Sequence, residues 1–507
     1  MAAPRPTLNK PLTVPNSLFR PSLLLVSGFR SALASPRWPL LLFLLYALCS
    51  SAWAEPLPGP MGSLLLHQSA SNPRYFETAT GRIVFLIGGY QGSEFQDHAF
   101  GGDSRSDFGL ALTILARYDG NLLRFWTSET SIGNPARQTM QQMPWARSSS
   151  CCAADGGNRF DLARFDVGNL TEPDVNSPHY FERMRARVLA ARVAGVYVSI
   201  MLWHSFGWEN DRRIPGTRSW DWHPFKRDNN VNGIDGDVDG DGQGLELGSL
   251  GRAFTPFQEA YVRQVIETVG DLDNVLYEIC NECADTPEAN AWQQYFVEFV
   301  KRYERSKGRA HPVGMTSLQN FNNWVLEESG ADFISPGGPT YEGAPPANRS
   351  GKVSILDMDH VAPCTGSNDR HWPWKALTRG HNLWYIYCSG YGAPDVTEAA
   401  VLTHMGQARA YAGRMDLRVA IPETDPSRCS TGYCLKGPDE VLAFLPAGRR
   451  LNMLLEGSGR WAVEWYEPTS GNQVVGSPVE AGSVSLHAPF SGVAVVFLVR
   501  NANSSSP

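Results

Sequence analysis

The pattern of apolar and polar positions divides the chain in two. From about residue 70 to 430, short apolar runs alternate with longer amphipathic stretches. The runs Ile83–Ile87, Leu122–Trp126, Val196–Leu202, Val275–Ile279, Pro312–Thr316, Phe333–Ser335, Val353–Leu356 and Leu383–Tyr387 have the length and composition of buried strands. Phe181–Ala194, Pro256–Val269 and Ala291–Tyr303 repeat apolar residues at helical spacing. Eight strands alternating with helices predict an α/β architecture, the (β/α)8 TIM barrel. Two Gly-, Pro- and Trp-rich inserts, 127–175 and 205–255, show no sustained period. In a barrel such inserts follow strands and build the face that carries chemistry.

After Cys434 the apolar runs are short and β-rich: Val441–Leu445, Leu451–Leu455, Trp461–Tyr466, Ser483–Leu486 and Val493–Val499. Turn signals at Pro468-Thr-Ser-Gly471 and Pro489-Phe-Ser-Gly492 separate them. They predict a small antiparallel β-sandwich over 433–500, after a barrel over 55–432, with a disordered polar tail at 501–507. At the other end, Arg30 and Arg37 precede the apolar run Pro39–Cys49, which is too short to cross a bilayer. Ala52-Trp53-Ala54 follows the small-x-small cleavage rule, so residues 1–54 are expected to be an export signal. The mature chain would begin near Glu55 and be secreted, extracellular or periplasmic. No later run is long enough for a membrane span.

Charge narrows the partners. Lys plus Arg number 44 against 51 Asp plus Glu, a net charge of −7. Residues 1–54 hold Arg5, Lys10, Arg20, Arg30 and Arg37 and no acid, so the remainder carries 39 against 51, or −12. An acidic body argues against nucleic acid or an anionic membrane surface as partner and is compatible with a neutral substrate. Of nine cysteines, Cys49 lies in the signal, and export permits disulfides among the rest. Cys429 and Cys434 are spaced to close a small loop. The adjacent Cys151 and Cys152 are expected to pair elsewhere. Cys280 and Cys283 form a C-x-x-C, a spacing used for redox chemistry or zinc, but no second such pair completes a zinc set.

The sharpest segment is Asn274-Val-Leu-Tyr-Glu-Ile-Cys-Asn-Glu282, a buried strand ending in an Asn-Glu pair. Alternation sets Leu276, Glu278, Cys280 and Glu282 on one face. A carboxylate inside a strand is costly unless paired, so Glu278 either meets a cation in the barrel interior or belongs to a site. Glu282 sits at the carboxyl end of its strand, where barrel enzymes keep catalytic groups. Asn281 beside it is placed to orient a substrate hydroxyl.

This strand resembles the fourth barrel strand of clan A glycoside hydrolases, the cellulase-like family 5 group in particular. Asn72-Pro-Arg-Tyr-Phe76 is similar to the opening of related glycosidases. Met143-Pro-Trp-Ala-Arg147, Asn229-Asn-Val-Asn-Gly233 and Ser430-Thr-Gly-Tyr-Cys434 resemble blocks of a bacterial subgroup that carries a C-terminal module of collagen-binding type. The resemblance covers most of the mature chain. It implies a secreted glycosidase acting on a poly- or oligosaccharide, with Glu282 as general acid/base, and it leaves the sugar open.

The reaction needs a second carboxylate across the glycosidic bond. In clan A this is a Glu ending strand seven. Here Val353-Ser-Ile-Leu-Asp-Met-Asp-His360 offers Asp357 and Asp359 instead, both on one strand face by alternation. Asp357 is the expected facing carboxylate and Asp359 the second choice; Glu423 competes from beyond strand eight. Asp is a methylene shorter than Glu, so retention of configuration is not assumed. Arg124 resembles the clan's arginine that bonds the strand-seven carboxylate, or it pairs with Glu278, and the two are compatible. Trp126, His204 and His360 fall at or just past strands two, three and seven, where they would bind sugar hydroxyls or serve as structural groups.

Asp235, Asp237, Asp239 and Glu246 match the calcium-loop spacing D-x-D-x-D-G-x5-E and Asp241 adds a further acid, so a structural calcium ion competes with a plain solvated acidic loop. No helix precedes the loop, and Gly242 replaces the usual apolar eighth residue. No organic cofactor is implied: no G-x-G-x-x-G follows a strand and no P-loop occurs. A G-x-S-x-G elbow is also missing, which disfavours a serine hydrolase. The alternative from another class is a non-catalytic carbohydrate- or matrix-binding protein on a barrel scaffold, kept open by the missing strand-seven Glu.

Overall fold

The computed structural model describes residues 61–92, 94, 96–97, 107–133, 138–139, 142–210, 218–316, 323–361, 369–389 and 394–501. The export-signal expectation, and the tail expectation from residue 502 on, fall outside these residues. Eight parallel strands close into a barrel: β1 Ile87–Tyr90, β2 Leu122–Phe125, β3 Tyr197–His204, β4 Val275–Asn281, β5 Val313–Thr316, β6 Phe333–Ser335, β7 Val353–Asp357 and β8 Asn382–Ile386. A helix follows each in turn: α1 Phe108–Arg117, α2 Tyr180–Val193, α3 Thr255–Val269, α4 Pro287–Ser306, α5 Asn323–Glu328, α6 Pro339–Gly343, α7 Trp372–Thr378 and α8 Val396–Ala412. Caps set several helix starts. Asp107 accepts from two backbone N–H groups of α1, Thr286 caps α4 ahead of Pro287, and Asp395 accepts from Thr397 and Glu398 at the head of α8.

One strand differs from its expected span. Ile83–Val84 joins Leu66–Gln68 and Phe76–Thr78 in a small antiparallel sheet, and the barrel strand begins at Ile87. Leu66, Phe76 and Val84 of that sheet pack with Leu122, Leu276, Phe333 and Val353, closing the amino-terminal mouth of the barrel. The strand period then sorts the interior. Leu122 and Leu276 point into this apolar layer, and two residues on, Arg124 and Glu278 point into the same space one layer higher. The intervening Leu123, Phe125, Tyr277 and Ile279 face the surrounding helices.

The inserts follow β2 and β3, at the carboxyl ends of the strands. The first holds a twisted hairpin, Trp145–Cys151 with Asn158–Phe165, where the sequence shows no sustained period. The second is built from short 3-10 turns such as Ser205–Trp208 and Ser219–Trp222.

The C-terminal part is one antiparallel sheet of β9 Ile421–Glu423, β10 Cys434–Lys436, β11 Glu440–Leu445, β12 Arg450–Glu467, β13 Asn472–His487 and β14 Ala494–Arg500. Leu451–Leu455 and Trp461–Tyr466, expected to be separate strands, are the two halves of β12, and Ser483–Leu486 is the end of the long β13. Irregular pairing between Leu455 and Arg460 bends the β12–β13 hairpin over the sheet. Leu451, Met453 and Leu486 then pack on Val441, Ala443, Val496 and Leu498, which makes a sandwich. The alternate residues Leu442, Phe444, Val495 and Phe497 belong to the barrel's own core. There Tyr411 of α8 meets Tyr466 at 5.3 Å and Phe497 at 6.0 Å between ring centroids.

Three disulfides are present among the described residues. Cys429–Cys434 closes its expected loop. Cys151 and Cys152 bond to each other, which corrects the expectation that they pair elsewhere. Cys280 and Cys283 are joined as well, so neither is a zinc ligand. Cys388 is also disulfide-bonded.

Candidate active site

Arg124 is the hub. It is buried, with its Nε donating to Glu278 Oε2 at 2.8 Å and its Nη2 to Glu278 Oε1. The same Nη2 donates to Asn281 Oδ1 at 2.7 Å, and Nη1 donates to Asp357 Oδ2 at 2.8 Å. One guanidinium thus joins strands two, four and seven. Both partners anticipated for it are present at once. The aromatic faces of Tyr90, Trp126 and Trp384 surround it, with ring centroids 4.7–5.4 Å from its Cζ. Burial works against the Arg124 charge, but the Glu278 and Asp357 carboxylates outweigh it and hold the group well above its usual range. Burial pushes the Glu278 carboxyl up, and Arg124 offsets only part of this.

Asp357 ends β7 and accepts from several donors. The Tyr90 hydroxyl reaches its two oxygens at 2.9 and 3.0 Å, Arg124 binds Oδ2, and the backbone N–H of Asp359 reaches Oδ1 at 3.1 Å. Burial, and then the neighbouring Asp357 charge, pushes the Tyr90 hydroxyl pKa well up, which keeps it a donor. Asp359 is not on the strand: β7 stops at Asp357 and a short turn, Asp359–Val361, follows. Both aspartates nonetheless line one cleft with Arg124, Asn281 and Glu282. This cleft, of about 550 Å³, opens at the carboxyl ends of the strands and is completed by the β6–α6 segment, including Tyr341 and Glu342.

Glu282 leaves the strand pattern. Its φ is +51°, a left-handed value shared among the described non-glycine residues only by Asp119. Ser205 Oγ donates to its carbonyl at 2.7 Å. Asn281 is buried, and its Nδ2 has no hydrogen-bond partner among the described residues. An amide donor in this position is available to a ligand hydroxyl.

Trp126 and His204 stand beside the cleft. Trp126 stacks on Tyr90 at 5.5 Å, and the His204 ring lies 5.7 Å from Trp126. The His204 backbone N–H is fixed by the buried Glu129 at 2.8 Å, which also accepts from the Trp208 indole. His360 falls in the turn after β7, and its side chain lies outside the described residues. Glu423 is in the C-terminal sheet, bonded to Arg428 at 2.7 Å, and is not a cleft residue. The sequence reading misses Tyr90, which supports Asp357 from behind the cleft, and Glu342, which lines it. Tyr90 follows two glycines at the end of a strand with weak apolar signal. Glu342 lies past a three-residue strand, where only its place after β6 would have flagged it.

The acidic loop is partly assembled. Asp237, Asp239 and Glu246 bring carboxylate oxygens within 4.8 Å of one another. Asp235 and Asp241 are not in that group; their oxygens accept from the loop backbone at Asp237 and Gln243.

A closed parallel barrel with paired acids at its carboxyl face is an architecture found among glycoside hydrolases. No protein-family model and no curated protein matches the chain. Among solved structures it is similar to a family 5 glycoside hydrolase of Bacteroides vulgatus, with a TM-score of 0.57 and 12% identity over 90% of this chain and 97% of that one. A second similar structure, described as a glycoside hydrolase, has a TM-score of 0.53 and 12% identity, covering 90% of this chain and all of that one. At these identities the likeness is one of fold.

Proposed function

We infer that the chain is a secreted glycoside hydrolase that cleaves O-glycosidic bonds in a poly- or oligosaccharide. The observation that carries this reading is the single cleft shared by Glu282 and Asp357, with Asn281 between Arg124 and the opening. Two carboxylates facing one bound glycosidic bond are the chemical requirement. Glu282 protonates the leaving oxygen. Asp357, oriented by Arg124 and Tyr90, attacks the anomeric carbon or activates water on the opposite face. Asn281 Nδ2 and the nearby His204 and Trp126 position the sugar, and Asp359 stands in reserve beside Asp357. Membership of the bacterial subgroup with a collagen-binding-type module, and export through residues 1–54, belong to the same proposal.

The acidic loop fits a hard cation in its donor chemistry: three carboxylates converge, and Glu246 Oε2 is buried with no hydrogen-bond partner among the described residues. Asp237, Asp239 and Glu246 would hold calcium there and tie down the β3–α3 insert. No step of hydrolysis passes through it.

The test is hydrolysis of plant, algal and bacterial polysaccharides and aryl glycosides by wild type and Glu282→Gln. New reducing ends that vanish in the variant support the reading. Equal hydrolysis by both proteins removes Glu282 from the mechanism. Binding of one glycan without cleavage would favour the carbohydrate-binding alternative.

A further inference from the structure

Cys280, Asn281, Glu282 and Cys283 are consecutive, and the two cysteines are disulfide-bonded with Cα atoms 5.8 Å apart. That separation is inside the ~7 Å limit of a β-turn, so the cross-link closes a four-residue turn with Glu282 at its third position. A turn with positive φ at this position normally places Gly or Asn there. Here a glutamate, with a φ of +51°, occupies the glycine place. An L-residue of this kind returns to negative φ unless its surroundings over-determine the backbone.

The surroundings do so at three points. The Cys280 carbonyl accepts from Thr316 Oγ1 of β5, and the Glu282 carbonyl accepts from Ser205 Oγ beyond β3. Both sulfur-bearing side chains are fully buried in the packing between barrel and helices, while Glu282 itself is only half-buried and reaches the cleft. The disulfide therefore does not cross-link distant parts of the fold. It encloses the two residues that face substrate.

We propose that the Cys280–Cys283 disulfide is a positioning element for Glu282, holding its backbone in the left-handed turn that aims the carboxyl into the cleft. This rests on the reading of Glu282 as the acid. With the bridge open, the residue relaxes toward negative φ, and its carboxyl leaves the environment that sets its protonation.

The test follows the Glu282 carboxyl directly, by carbodiimide coupling and peptide mass spectrometry across a pH series. It compares oxidised protein, protein reduced with a phosphine, and Cys280→Ala/Cys283→Ala. The midpoint of Glu282 labelling is expected to move by about one pH unit when the bridge is lost. On a substrate from the panel, kcat falls about tenfold with KM nearly constant. An unchanged Glu282 midpoint in folded, bridge-free protein overturns the proposal. If the double variant does not fold, adding Glu282→Asn, which accepts positive φ, restores folding. Failure of the triple variant also overturns the proposal, because the bridge would then serve the fold and not this residue. Hydrolysis unaffected by Glu282→Gln would instead sink the acid assignment, leaving the labelling result to report on geometry alone.

Discussion

The Tyr90 hydroxyl sits across both oxygens of Asp357, at 2.9 and 3.0 Å, so the first strand of the barrel orients the carboxylate that ends the seventh. Tyr90→Phe removes this donor and little else. We expect kcat/KM to fall about tenfold, roughly the ~1.4 kcal/mol of a hydrogen bond to a charged group, with thermal stability nearly unchanged. Activity within twofold of wild type would show that Arg124 alone suffices to hold Asp357.

Arg124 is the cation shared by Glu278 and Asp357. Arg124→Met leaves Glu278 fully buried without its partner, which should cost about 3–5 kcal/mol in denaturant unfolding. Adding Glu278→Leu should recover most of that stability and none of the activity. Recovery of both would mean that the pair serves the core only.

The left-handed backbone at Glu282 is a conformation that Asn tolerates better than Glu. Glu282→Asn is therefore expected to raise stability by about 0.5–1 kcal/mol while abolishing hydrolysis. Equal or lower stability would argue that the positive φ costs nothing here.

Arg414, after α8, binds Glu464 of β12 through both nitrogens, at 2.6 and 3.0 Å. These bonds hold the Glu464 carboxyl below its usual value of 4.5, with burial opposing in part. A depressed carboxylate contributes stability above the unfolded value, lost as pH falls through the folded one. Glu464→Gln should flatten the decline of the unfolding temperature below about pH 4.5, an effect of ~1 kcal/mol at most for a partly solvent-screened pair. An identical acid limb in both proteins would assign that decline to other groups.

Calcium added to chelator-treated protein should raise its unfolding temperature. A hundredfold excess over Kd corresponds to about 2.7 kcal/mol. Glu246→Gln should cancel the rise. No shift in wild type would leave the loop as a solvated acidic turn.

Much of the barrel was legible because its strands are continuous apolar runs, as strands buried on both faces must be. The exception is instructive. β1 contains Gly88 and Gly89, whose added Cβ atoms would come within 1.8 Å of the Leu122 carbonyl oxygen and 2.2 Å of that of Tyr385. The neighbouring strands pass too close for side chains, so the strand carries little hydrophobic signal. The reading slid to Ile83–Ile87 and missed Tyr90. Glu282 stood out as a carboxylate at a strand's carboxyl end, Asp357 through the resemblance of its strand to the seventh of clan A glycoside hydrolases, and both line the cleft. Period-two alternation set Asp359 on the same strand face, but the strand ends two residues earlier. The Cys280–Cys283 bond was not legible, since C-x-x-C spacing alone does not distinguish a disulfide from a metal pair.

The two faces of the C-terminal sheet have a consequence for how this chain can be engineered. Val441, Ala443, Val496 and Leu498 fill the sheet's own interior, while Leu442, Phe444, Val495 and Phe497 complete the wall around Trp374 and Tyr411. Cutting the chain between the two parts would leave each with an uncovered oily surface, prone to aggregate. Each part is thus the other's solvent shield, and an engineered version of either alone would need polar replacements on the face it exposes.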